Sequence, residues 1–128
     1  MRISRALSRE NRIIAAAAAA GGTLHGQAAG RGIALLRSSE THTAYLTKAV
    51  RKLGGTPHQP RKDYSDQVAG RRTQASLVAL LSDMAGKVAA ADARAAGRVS
   101  DDDFRGLTQA VAASDRRHAQ ALARLRAE

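Results

Sequence analysis

Two of the four histidines stand where a helix would aim them at other reactive groups. His118 follows Asp115 by three residues, which puts a carboxylate and an imidazole on one helix face. That pair can offer an oxygen and a nitrogen to one metal ion, as Glu-x-x-His does in bundle metal sites. His118 also falls on an apolar stripe, between Val111 and Leu122. A simpler reading makes it a core-edge histidine bonded to Asp115 or to a neighbouring helix. His42 lies beside a second stripe, next to Leu35 and Leu46, and the same simpler reading applies to it. Glu40, two residues earlier, is turned away from its ring, and Ser39 takes the position three before it. Asp83 and Asp92 are the acids of a third helical segment, each adjacent to its stripe. His25 and His58 sit among glycine or proline and are expected to be exposed.

Other chemistries lack their residues. With no cysteine there is no disulfide scaffold, thiolate zinc site, iron–sulfur cluster or cysteine nucleophile. No Gly-rich phosphate loop precedes Lys-Ser/Thr, no dinucleotide fingerprint follows a strand, and no His-Glu-x-x-His or nucleophile elbow occurs. One Phe and two Tyr cannot supply the stacking platform that single-strand readers use. The longest apolar run, Ile13 to Ala20, is far short of the ~20 residues a membrane span needs.

The elements that must position these residues are helical. Aromatic and β-branched residues are too scarce to face a sheet, while alanine, the best helix former, abounds. The chain reads as a single helical domain over 1–128. A basic N-terminal helix over 1–20 ends at Gly21-Gly22, and the main helices cover 23–53, 71–96 and 100–127. Gly26, Gly30 and Gly32 place the firm part of the second helix from about Ile33 onward. Its stripe is Leu36, Thr43, Leu46, Val50 and Leu53. Gly54-Gly55-Thr56-Pro57 ends it. A long connection over 58–70 follows. The third stripe is Leu77, Leu81, Met84, Val88, Ala91 and Ala95; the fourth is Phe104, Leu107, Val111, His118, Leu122 and Leu125. Ser100 with Asp103 approximates a capping box. The expected fold class is all-α, a four-helix bundle.

The segment Glu40-Thr-His-Thr-Ala-Tyr-Leu-Thr-Lys-Ala-Val-Arg-Lys-Leu-Gly-Gly-Thr-Pro resembles the second helix and turn of small bacterial ferritin-like proteins. There a histidine is followed by leucine four residues later and then by Gly-Gly-x-Pro. Asp115-Arg-Arg-His-Ala-Gln-Ala-Leu resembles the fourth-helix Glu-x-x-His-x-x-x-Leu of the same group. The two segments cover roughly a third of the chain. The resemblance implies a ferritin-like bundle with metal-ligand roles for His42, Asp115 and His118. Asp83 stands where a bridging glutamate is expected, with a shorter reach. Ser39 replaces the second-helix carboxylate, and Glu10, the first helix's only acid, sits among arginines. A di-iron oxidase needs about four carboxylates and two histidines, so the expectation is a scaffold with a degenerate metal site and no resident cofactor. Iron or manganese binding at His42, Asp83, Asp115 and His118 is the alternative.

Charge suggests the partner. The chain holds 21 Lys and Arg against 11 Asp and Glu, a net of +10. Residues 1–62 alone account for +9, and the remainder is close to neutral. The candidate polyanion-binding residues are Arg2, Arg5, Arg9, Arg12, Arg51, Lys52, Arg61 and Lys62. A solvated face in an arginine-rich proteome explains the excess equally well. The leading expectation is a non-catalytic interaction or assembly protein whose basic half meets an acidic protein surface or builds an oligomer. Non-specific nucleic-acid binding through phosphates is a further alternative. A cytoplasmic location is expected, with a cleaved N-terminal targeting segment as the alternative reading of the arginine-rich start.

Overall fold

A computed structural model describes residues 2–57 and 59–126, without the side chains of residues 62, 63 and 65. Four α-helices account for most of it: α1 (Arg2–Ala20), α2 (Gly26–Lys52), α3 (Gln74–Ala96) and α4 (Asp102–Arg126). No strand occurs among the described residues. α1 packs on α2 and α3, and α4 packs on α2 and α3, so the helices close a ring consistent with a four-helix bundle.

The helix ends follow from local chemistry. Thr73 caps α3, its hydroxyl accepting from the Ser76 amide at 3.1 Å. Asp101, rather than Ser100, caps α4, its Oδ1 accepting from the amides of Asp103 and Phe104. The second helix is firm well before Ile33: α2 starts at Gly26, which takes a φ of +59°, and runs through Gly30 and Gly32. Gly32 has a packing reason, since a Cβ there would stand 2.8 Å from Leu24 Cδ1. Its bareness lets Leu24 fold over the start of the helix.

Between α2 and α3 a 3-10 helix, Lys62–Val68, packs against α1. The buried Tyr64 anchors it, with its hydroxyl 3.1 Å from Ser8 Oγ and the Arg12 guanidinium over its ring.

The interior consists of two apolar groups. One joins Ile13, Leu35, Leu77, Leu81, Val88 and Leu122 with their alanine neighbours. The other joins Ile3, Leu7, Leu46 and Val50, with Phe104 and Leu107 packed against it. In α1, α2 and α4 polar residues stand between the two groups in chain order: Glu10, Ser39 with His42, and Asp115. Glu10, Ser39 and Asp115, with Asp92 of α3, are buried. Burying four such groups in a bundle this small is costly unless each finds a partner, so this layer demands a chemical account.

Candidate metal centre

Each residue of the layer is carried inward by a helix whose apolar face it shares. Leu7, Glu10 and Ile13 follow one another at three-residue steps, so a helix that buries the two aliphatics also buries Glu10. Leu35, Ser39, His42 and Leu46 do the same in α2, and Val88, Asp92 and Ala96 in α3. In α4 the buried face is Val111, Ala112, Asp115, Ala119 and Leu122. The side chains of Glu10, Asp92 and Asp115 have no exposed surface, and that of His42 has 12%.

His42 is the hub. Its Nδ1 lies 2.6 Å from Glu10 Oε1 and 3.7 Å from Asp115 Oδ1. One ligand atom from each of Glu10, His42 and Asp115 lies within 4.8 Å of the others. On the far side of the ring, Nε2 is 3.4 Å from Ser38 Oγ, which also bonds Ser114 Oγ at 2.9 Å. Asp92 stands at the edge, its Oδ1 accepting from Arg9 Nε at 2.9 Å and also from Nη2. Its charge acts on Glu10, Asp115 and His42.

Burial dominates the electrostatics. It pushes Glu10 up to about 7, against a lowering bond to Asp115. It pushes Asp115 up to about 9, with the bond to Glu10 and the Glu10 charge adding to the rise. Burial also raises Asp92, although Arg9 opposes it, and lowers His42 and His118. At neutral pH the bare site therefore holds a proton on Asp115 that donates toward Glu10. Beyond that shared proton, Glu10 Oε2, both oxygens of Asp115, Asp92 Oδ2 and Ser39 Oγ are buried with no well-formed hydrogen bond to a described residue. Carboxylate oxygens placed this way call for a proton or a cation.

The residues singled out from sequence are distributed as follows. His42 and Asp115 come together, joined by Glu10. His118 is half-buried and close enough to His42 for the two rings' charges to interact, but it lies outside the close group. Asp83 is exposed and held by Arg126 at 3.1 Å; the α3 carboxylate of the layer is Asp92. Among the candidate polyanion ligands, Arg2, Arg5, Arg51 and Lys52 are exposed, Arg9 is committed to Asp92 and Arg12 covers Tyr64. Arg61 stands 5.8 Å from the Tyr64 ring centre. The side chain of Lys62 lies outside the described residues.

Glu10 and Asp92 are the residues of the buried layer that the sequence reading did not single out as ligands. The signal for Glu10 was its place midway between Leu7 and Ile14. For Asp92 it was the run Leu77, Leu81, Ala85, Val88, Asp92, Ala96, which steps at three and four throughout.

The donor chemistry fits a small cation: one imidazole nitrogen and at least two carboxylates from three helices, in a dry interior with unpartnered oxygens. The layer holds three carboxylates and two histidines, one carboxylate short of the set that bundle sites use for a pair of ions. Among the described residues no helix is long and apolar enough to cross a membrane. No protein-family model, curated protein or solved structure matches this chain.

Proposed function

We propose that this chain is a ferritin-like helical protein that holds one divalent transition-metal ion, of the iron or manganese class, at Glu10, His42 and Asp115. Asp92 Oδ2 and His118 stand in reserve at the edge of the same layer. The observation that supports this most is the set of buried carboxylate oxygens without well-formed hydrogen bonds, gathered around one imidazole. A proton satisfies such a set singly; a cation satisfies it collectively, and at neutral pH displaces the proton of Asp115.

When bound, the ion supplies a compact positive charge that neutralises the layer. The chain's own residues do the rest. Glu10 and Asp115 give up protons that burial otherwise keeps on them. His42 presents Nδ1 to the ion, which leaves its ring proton on Nε2, where Ser38 Oγ stands 3.4 Å away to accept it. Arg9 donates to Asp92 at the edge and opposes the rise that burial imposes on it. Binding rather than oxidation is the role proposed, because one ion with few carboxylates lacks the paired site of the bundle oxidases. The basic residues play no part in holding the ion, since most lie on outer faces where they attract anions and repel cations.

Elemental analysis of the purified protein tests the proposal. About one equivalent of iron or manganese per chain, lost in His42→Ala and in Asp115→Asn, is the expected result. Metal-free protein that also fails to take up either ion on addition would overturn it.

A further inference from the structure

The arginines of α1 do not act alone. Arg2, Arg5 and Arg9 of α1 face Arg94 and Arg98 of α3 across a cleft of about 170 Å³. Ala91 and Ala95 line the same cleft, and their short side chains leave its floor open between the arginines. Arg2, Arg5, Arg94 and Arg98 are exposed and form no ion pair or hydrogen bond among the described residues. The acids nearest in sequence are engaged: Glu10 meets His42, Asp92 holds Arg9, Asp101 caps α4 and Asp102 pairs with Arg105. Arg9 gives its Nε and Nη2 to Asp92. A guanidinium has five N–H donors, so Arg9 still has Nη1 to offer.

Five arginines around one cleft are unfavourable without a ligand. Like charges repel across the cleft, and Arg2 and Arg5 stand in the first turn of α1, where the helix dipole is itself positive. Of the five arginines only Arg9 has a carboxylate partner, Asp92. We infer that the cleft between the start of α1 and the end of α3 is a binding site for a small multivalent oxyanion of the phosphate class. Arg2, Arg5, Arg94 and Arg98 are its charged walls, and Arg9 links it to the carboxylate layer. Arginine suits this ligand because its planar fork meets phosphate oxygens two at a time. The size also selects: 170 Å³ is well below the roughly 300–1,000 Å³ of sites that enclose drug-sized ligands. A phosphate or diphosphate group fills it, and any larger ligand would extend beyond its walls.

The inference stands independently of the cation site and is tested separately. Inorganic diphosphate is titrated into the full chain by calorimetry at fixed ionic strength, with chloride as the balancing anion. Saturable binding of about one diphosphate per chain is expected, displaced by inorganic phosphate. Arg94→Gln with Arg98→Gln should weaken it at least about tenfold, since hydrogen bonds to a charged group are worth about a decade or more each. Neither side chain contacts another described residue through charge or hydrogen bonding, and a melting curve confirms that the variant folds. Arg71→Gln with Arg72→Gln, which removes the same charge elsewhere, should leave binding within about twofold. No saturable binding, or equal weakening by both pairs, would overturn the inference. So would binding of a DNA duplex that diphosphate cannot displace.

Discussion

Replacing Asp115 with asparagine separates the cost of the buried carboxyl from its use. The group titrates at 3.8 in the open chain and at about 9 in the fold. Because the folded value is raised, its favourable contribution is complete below the unfolded value and is lost as pH rises through the folded one. At pH 7 the folded protein holds a proton that the unfolded chain has released. That costs about 4 kcal/mol, taking 1.36 kcal/mol for each unit between 3.8 and 7. Asparagine removes this cost, can still donate to Glu10, and retains some desolvation penalty of its own. The metal-free variant should therefore be about 2–3 kcal/mol more stable than the parent, or about 10 °C in melting temperature for a chain of this length. With manganese the gap should close. An ion present at about a hundred times its dissociation constant stabilises the parent by about 2.7 kcal/mol, and the variant gains little. The assay is thermal unfolding of both proteins, in chelator and in excess manganese. A less stable variant in chelator, or equal stabilisation of both by manganese, would refute the reasoning.

The metal-free protein should lose stability between about pH 6.5 and 9. Glu10, Asp92 and Asp115 are raised by folding, while His42 and His118 are lowered and so oppose the trend only below 6.5. Denaturation midpoints across that range in chelator check this, and a midpoint that climbs with pH contradicts it. Arg9→Gln should destabilise by about 3 kcal/mol at neutral pH, because it strands the buried charge of Asp92. Adding Asp92→Asn should recover most of that loss, and urea unfolding of the single and double variants measures both. Leu81→Ala, at a fully buried position between two helices, should cost about 2–5 kcal/mol in the same assay. It should not change cation stoichiometry.

Much of the fold could be read from sequence because its punctuation is chemical. Gly21-Gly22, Gly54-Gly55-Thr56-Pro57 and the run around Gly97 stop helices whatever packs against them. The inward faces were harder, and alanine is the reason. In α3 a stripe through Met84, Ala91 and Ala95 looks as apolar as one through Ala85, Asp92 and Ala96, yet the second is buried. One residue of rotation decided whether Asp92 or Asp83 reached the interior. In α2 the same ambiguity placed Leu53 on the stripe, where it is 45% exposed, and passed over Ser39, which is fully buried. Asp115 and His42 were legible because aliphatic residues fix their faces on both sides. Glu10 was obscured by Arg9 and Arg12, which suggested a charged surface. No sequence rule pairs Arg9 with an acid 83 residues away; only the packing of α1 on α3 does.

The central claim, that the buried carboxylates around His42 are a cation site, is tested most directly by titrating the metal-free protein with manganese at neutral pH. The free ion is followed by its electron paramagnetic resonance signal. One manganese per chain should vanish from the free signal in the parent, with proton release because Asp115 is protonated beforehand, and none should vanish in Asp115→Asn. A free signal that grows in proportion to added manganese from the first addition would contradict the account.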